Sequence, residues 1–265
     1  MFLETQLGSQ LPGLYGQLLP ASFLKLNAVE KKASCSNCYM CRPASKNNPV
    51  KKPFEASTKC CTYYPFVPNY LVGGMLAENG EAAKHMRTLI RDRQWILPIG
   101  VVAPPSYQVK FQDKHMDDFG RDADLMCPFY KTQSGQCGIW QWRDSQCSTY
   151  FCTYDNEKTG PQFWLSVQQF LYDIEMLISQ ECMLQKGFST KEIEENLNWV
   201  LFEQGSQEVK PYIMSSMDWS QFWQHHYEEI EAYFIACYKL VLEHRVKFKN
   251  DIDELHEKYS FTRTR

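Results

Sequence analysis

The sequence predicts an α+β protein, mainly α, with an irregular N-terminal half organised by cysteine and metal and a helical C-terminal half. Three observations carry this. Nine of the eleven cysteines fall before Thr153. After residue 160 apolar residues recur at helical spacing and breakers are few. Charge divides at the same place: residues 1–160 carry 18 basic and 14 acidic groups, whereas residues 161–265 carry 10 and 17. We therefore divide the chain into a cysteine-rich metal-binding region, 1–160, and a helical region, 161–265.

The elements follow in order. Residues 1–30 read as short helical pieces broken at Pro12 and Pro20. Arg42 to Lys59 holds three prolines and no apolar period, and is a loop. Residues 79–94 favour a helix with Ala82, Met86, Leu89 and Ile90 on one face. Ile96 to Val102 reads as a short strand closed by Pro104-Pro105, with Pro98 restricting it to an edge. Residues 111–126 are ambiguous, and 127–152 follow their cysteines rather than any period. A helix over 162–186 buries Phe163, Val167, Phe170, Leu171, Ile174 and Leu177, with Pro161 in its first turn and Gly187 ending it. Ser189-Thr190-Lys191-Glu192 is a capping box for a helix to about Phe202. A loop around Gly205 and Pro211 follows. The last helix starts near Asp218 or Ser220 and runs to about 258. Its stripe is Trp223, Ile230, Phe234, Cys237, Val241, Phe248, Ile252 and Leu255, and a kink is expected near Lys247–Asp251.

Composition limits function. The 265 residues are 44% hydrophobic and 14% aromatic, enough to bury a core, which excludes wholesale disorder. A net charge of -3 gives no whole-chain attraction to nucleic acid or anionic membrane. Apolar runs stop well short of the ~18–20 residues that span a bilayer. Glu4 and the lack of a basic region before an apolar run argue against a secretory leader. A cytoplasmic, reducing setting is expected, where disulfides are rare and clustered cysteines are metal ligands or redox groups. Cys182 and Cys237, single in helical sequence, read as small core residues.

The clustered cysteines are Cys35, Cys38, Cys41, Cys60, Cys61, Cys127, Cys137, Cys147 and Cys152. Cys35-x2-Cys38-x2-Cys41 lets three thiolates converge from one tight loop, as the bacterial ferredoxin run begins. Four-thiolate zinc tolerates variable spacing too. Spacing therefore leaves iron–sulfur and zinc both open, with disulfides and unrelated thiols as the weaker alternatives. From Lys25 to Lys59 eight basic residues face two acidic ones, a surplus that suits either a charge-compensated metal region or a solvated loop. None of the six histidines forms a zinc-enzyme pattern, and His85 reads as a surface residue. Val72-Gly73-Gly74 lacks a following G-K-[ST] and reads as a turn. Tyr63, Tyr64, Phe66 and Tyr70 are either a shield for a cluster or ordinary core.

The ordered set Cys38-x2-Cys41, Cys60-Cys61, Cys127-Pro-Phe, Cys137-Gly-Ile-Trp140, Arg143-Asp-Ser-Gln-Cys147 and Cys152 resembles the YkgJ-type zinc- or iron-chelating family, described by eight characteristic cysteines. It departs from that family in the insertion over 42–59, in Trp140 for Tyr, in Asp144 for Pro and in the additional Cys35. The match spans about 35–152. The related flagellin lysine N-methylases carry a similar set, and that resemblance implies an iron–sulfur cluster. Up to two [4Fe–4S] clusters are the expected cofactor, with zinc as the alternative. One cysteine exceeds eight ligand positions. Either Cys35 is spare, or Cys35, Cys38 and Cys41 form a three-point clamp and one of Cys60 and Cys61 is free. The functional expectation is an iron–sulfur protein in electron transfer or cluster-supported modification. A structural zinc-binding interaction protein is the first alternative and a lysine N-methylase-like enzyme the second. No catalytic base or nucleotide motif is visible. A redox or protein partner is expected, and neither nucleic acid nor membrane.

Overall fold

The computed structural model describes residues 6–31, 33, 35–42, 52–113, 118–201, 213–259 and 261. These form eleven α-helices and five strands of two residues each, so the fold is mainly helical with a small β component. The expected loop at Gly205 and Pro211 lies outside the described residues, as do residues 43–51 of the expected 42–59 loop. Contacts gather the chain into two units. One comprises Met1–Tyr63, Asp117–Ile174 and His244–Arg265; the other comprises Tyr64–Met116 and Glu175–Glu243.

In the first unit, α1 (Tyr15–Leu18) and α2 (Ala21–Leu24) are the short pieces expected around Pro12 and Pro20. Helix α1 packs on α11 (Arg245–His256). The rings of Phe23, Phe170, His256 and Phe261 interlock at centroid distances of 4.8 to 5.8 Å, mostly edge to face. Glu30 is buried, yet satisfied: its carboxylate accepts from the Trp164 indole at 2.7 Å and from the Asp155 backbone N–H. Pairing of this kind is what makes a buried carboxylate tolerable. Trp164 sits on α7 (Gly160–Gln185), which matches the expected helix within two residues at each end. Gly187 ends it with φ +90°, and the Phe188 N–H reaches back to the Met183 carbonyl at 3.1 Å, closing the last turn.

The second unit holds α3 (Asn69–Glu78), which sequence reading did not find. Residues Val72-Gly73-Gly74 lie inside it and are not a turn. The reason is packing. A Cβ on Gly73 would stand 1.9 Å from the Phe234 carbonyl oxygen of α10 (Ile230–Glu243), so glycine lets the two backbones close up. Every residue from Asn69 to Leu76 is buried, so no amphipathic period betrays the helix. Helix α4 (Glu81–Arg91) lies within the expected 79–94, but its buried face is Ala83, Met86 and Leu89, with Ala82 and Ile90 half-buried. His85 on the same helix is half-buried rather than on the surface.

The expected strand at 96–102 folds into a hairpin of β2 (Ile96–Leu97) and β3 (Gly100–Val101), turning at Pro98 and Ile99. With β1 (Val67–Pro68) they form an antiparallel sheet in the order β1-β3-β2. The turn is tied down: the Pro98 carbonyl accepts from the Asn69 amide at 3.1 Å and the Tyr233 hydroxyl at 2.8 Å. Helix α5 (Pro105–Asp113) starts on Pro105, a residue preset for a first turn. Helix α8 (Thr190–Val200) carries the full capping box between Ser189 and Glu192. The single long helix expected over 218–258 is three helices instead: α9 (Ser216–Trp223), α10 and α11. Gln224 adopts φ +45°, which no helix continues, and His226 turns its ring to the Lys186 carbonyl at 2.9 Å. The second break falls at His244, before the expected kink. The stripe from Trp223 to Ile252 is nonetheless buried, because each short helix keeps its own apolar face. Cys182 and Cys237 are core as expected, and the Cys182 thiol donates to the Cys237 carbonyl at 3.7 Å.

Candidate metal centre

All nine clustered cysteines belong to the first unit, and all are free thiols. Short turns present them. A 3-10 turn over Tyr39–Cys41 brings the Cys41 N–H to the Cys38 carbonyl at 3.3 Å. The same turn aims the Met40 and Cys41 N–H groups at the Cys38 sulfur. Cys127 repeats the device: Tyr130 N–H bonds the Cys127 carbonyl at 3.1 Å, while the Phe129 and Tyr130 N–H groups face the Cys127 sulfur. At Cys137 the Ile139 N–H does the same. Amides directed at sulfur stabilise the thiolate over the thiol.

Long-range bonds then bring the turns together. Phe54 N–H bonds the Met40 carbonyl at 2.8 Å, and the Thr58 hydroxyl bonds the Gly120 carbonyl at 2.9 Å. Cys127 N–H bonds the Cys61 carbonyl at 2.9 Å. Lys59, with a left-handed φ of +51°, extends its ammonium to the carbonyls of Cys35 at 2.9 Å and Gly135 at 2.6 Å. It thereby ties the first cysteine loop to the hairpin of β4 (Tyr130–Lys131) and β5 (Gln136–Cys137), where Tyr130 pairs with Cys137. Asp144 caps α6 (Ser145–Thr149) by accepting from the Cys147 N–H at 3.0 Å.

Two sets of sulfurs result. In the first, Cys38 sits between Cys152 and Cys41. Hydrogen bonds from Cys152 first, then from Cys41 and the two amides, pull the Cys38 thiol down to about 5. Its partners move the other way: burial and the bond to Cys38 push Cys41 up to about 12, and the bond to Cys38 raises Cys152. Cys60 is raised by its bond with Cys61 and by burial, and also feels Cys38. The second set is Cys127, Cys137 and Cys147. Burial pushes Cys127 up to about 12 and raises the other two; Cys147 also feels the Asp144 charge. Cys35 is within electrostatic reach of both sets, through Cys60 and Cys38 on one side and Cys137 on the other.

Fixed cations and aromatic rings complete the surroundings. The Arg143 guanidinium lies 3.5 Å above the half-exposed Trp140 ring and donates to the carbonyls of Trp140 at 3.0 Å and Cys147 at 3.1 Å. Burial lowers its pKa while Cys137, Cys147 and Cys35 act to raise it. Tyr130 and Tyr150 feel the first set, and burial raises both phenols. Sequence reasoning gave no role to Tyr130 or Tyr150, counted Lys59 only within the basic surplus of 25–59, and named Asp144 only as a departure from the family pattern; its place three residues before Cys147 was a readable N-cap signal. Tyr64, Phe66 and Tyr70 are core residues of the second unit.

The donor chemistry suits a thiophilic metal: nine free thiols, amides aimed at three sulfurs and resident positive charge. Among the described residues, however, no group of three or more His, Cys, Asp or Glu is gathered tightly enough to hold an ion as it stands. No helix of the described residues is long and apolar enough to cross a membrane. Comparison of the chain with protein-family models, curated proteins and solved structures finds no match.

Proposed function

We propose that this chain is a thiolate-ligated metal protein whose first unit holds up to two centres. One observation carries the reading. Cys38 hydrogen-bonds both Cys152 and Cys41, so thiols from opposite ends of the cysteine-rich sequence come together at one place. Cys38, Cys41, Cys60, Cys61 and Cys152 supply one centre; Cys127, Cys137 and Cys147 supply the other, with Cys35 able to serve either.

A thiophilic metal held by these cysteines would replace their thiol protons. A bound cluster or ion would supply redox chemistry if it is iron–sulfur, and structural cross-linking if it is zinc. The resemblance to the YkgJ-type and lysine N-methylase families favours [4Fe–4S], in a redox or cluster-supported modification role in the cytoplasm, acting with a redox or protein partner. Zinc is the second reading. The short amide-to-sulfur turns at Cys38 and Cys127 favour it equally well, because closed four-thiolate sites are built from such turns. In either case the chain's own contribution is the same: amides lower the cost of the Cys38, Cys127 and Cys137 thiolates, and Lys59 and Arg143 offset the charge.

Absorption of anaerobically purified protein separates the readings. A brown protein with a visible band is expected for iron–sulfur. A colourless protein that releases zinc on thiol modification supports the second reading. A colourless protein that releases no metal contradicts both.

A further inference from the structure

Helices α9 and α10 meet at a strained junction. Gln224 holds φ +45° and ψ -120°, a conformation that residues other than glycine rarely adopt and that persists only where neighbours enforce it. Three side chains do so. Gln224 donates its amide to the Glu192 carboxylate of α8. His225 and His226 both donate to one acceptor, the Lys186 carbonyl just beyond the end of α7, with Nε2 at 3.3 and 2.9 Å. A carbonyl can only accept, so these bonds fix the Nε2–H form of both neutral rings. The two ring centroids stand 4.1 Å apart. Both rings lie against Phe188, at 5.8 and 5.5 Å, and His226 also meets Tyr233 at 4.8 Å. His226 is half-buried and His225 exposed.

We propose that this histidine pair is an acid-sensitive clasp, which holds the α9–α10 junction on the end of α7 near neutral pH and releases it when both rings carry charge. The carbonyl end of a helix, with about half a negative charge, favours one cation but not two. Two imidazoliums at this spacing repel with whole charges. The titratable groups facing the pair are Lys186, Glu192 on α8, and Glu229 and Tyr233 on the α10 side. Lys186 adds to the repulsion and Glu229 opposes it. Glu192 is already engaged by Ser189 and Gln224, and the Tyr233 hydroxyl is spent on the Pro98 carbonyl. Burial first, then the charges of His225 and Lys186, hold the His226 imidazole below the ordinary histidine value, against the pull of the Lys186 carbonyl and Glu229. As pH falls, folded His226 therefore takes up its proton later than unfolded His226. The junction's stability is complete above the ordinary value of about 6.5 and is lost as pH falls from there towards the folded value.

The test is amide hydrogen exchange of the full chain over residues 224–233, corrected for the intrinsic pH dependence of exchange. The N–H groups of Tyr227, Glu229 and Tyr233, which bond the carbonyls of Gln224, His226 and Glu229, report on the junction. Their protection is expected to fall roughly three- to tenfold from about pH 7.5 to about pH 5, one pKa unit being tenfold. His226→Gln keeps an amide donor for the Lys186 carbonyl but has no proton to gain, and its protection is expected to stay level. His225→Gln removes the neighbouring charge and is expected to show a smaller fall than the parent. A parent without any fall, as a merely structural pair would give, overturns the proposal, and so does a fall of parent size in His226→Gln. Should His226→Gln fail to fold, the imidazole resonances of the parent decide. A His226 ring that titrates below the ordinary histidine value supports the clasp, and one that titrates at or above it overturns the clasp.

Discussion

Cys38→Ser is expected to abolish one of the two centres, lowering bound metal per chain by about half, and to open residues 35–61 to protease. The substitution is nearly isosteric. In a chain without metal it would exchange one small hydrogen-bonding group for another and cost within about 1 kcal/mol. In a metal protein it removes the sulfur on which Cys41, Cys152 and two amides converge. Metal-ligand free energy is folding free energy when the site does not exist in the unfolded chain, and structural zinc alone supplies roughly 10–16 kcal/mol in small peptides. Metal analysis and limited proteolysis of the variant beside the parent give the answer. A variant with full metal content would remove Cys38 from the ligand set.

Gly73→Ala is expected to destabilise the second unit by ~3 kcal/mol or more, although alanine is the better helix former by ~1 kcal/mol. The sign is decided by contact, not propensity. The new methyl would stand 1.9 Å from the Phe234 carbonyl oxygen, 2.6 Å from its carbon and 2.9 Å from Tyr238 Cβ. The α10 backbone has little freedom to retreat, because Phe234 and Cys237 are fully buried and Tyr233 is bonded to Pro98. Thermal or denaturant unfolding measures the loss. A stabilised variant would mean that α3 and α10 are not in backbone contact.

What the sequence made legible was local. Pro161, Gly187 and the Ser189–Glu192 capping box delimit α7 and α8 by short-range chemistry, and the structure follows them closely. Clustering of the nine cysteines in one region was equally plain. What stayed hidden depends on distant neighbours. Helix α3 is buried all round, so Gly73-Gly74 reads as a turn until α10 is seen against it. The last helix breaks at Gln224 and His244 although its heptad-like stripe runs on, because periodicity reports which residues are buried and not whether the axis is continuous. Within the candidate centre, spacing named the thiols but could not sort them. Only the folded chain sets Cys152 against Cys38.

Metal and acid-labile sulfide analysis of the full chain, purified without oxygen and without added metal, tests the central claim most directly. Two [4Fe–4S] clusters would give about eight iron and eight sulfide per chain, and two four-thiolate zinc sites about two zinc with no sulfide. The account predicts the first, or the second under the alternative metal. Less than about one metal atom per chain, with every thiol of the first unit freely titratable, would contradict it.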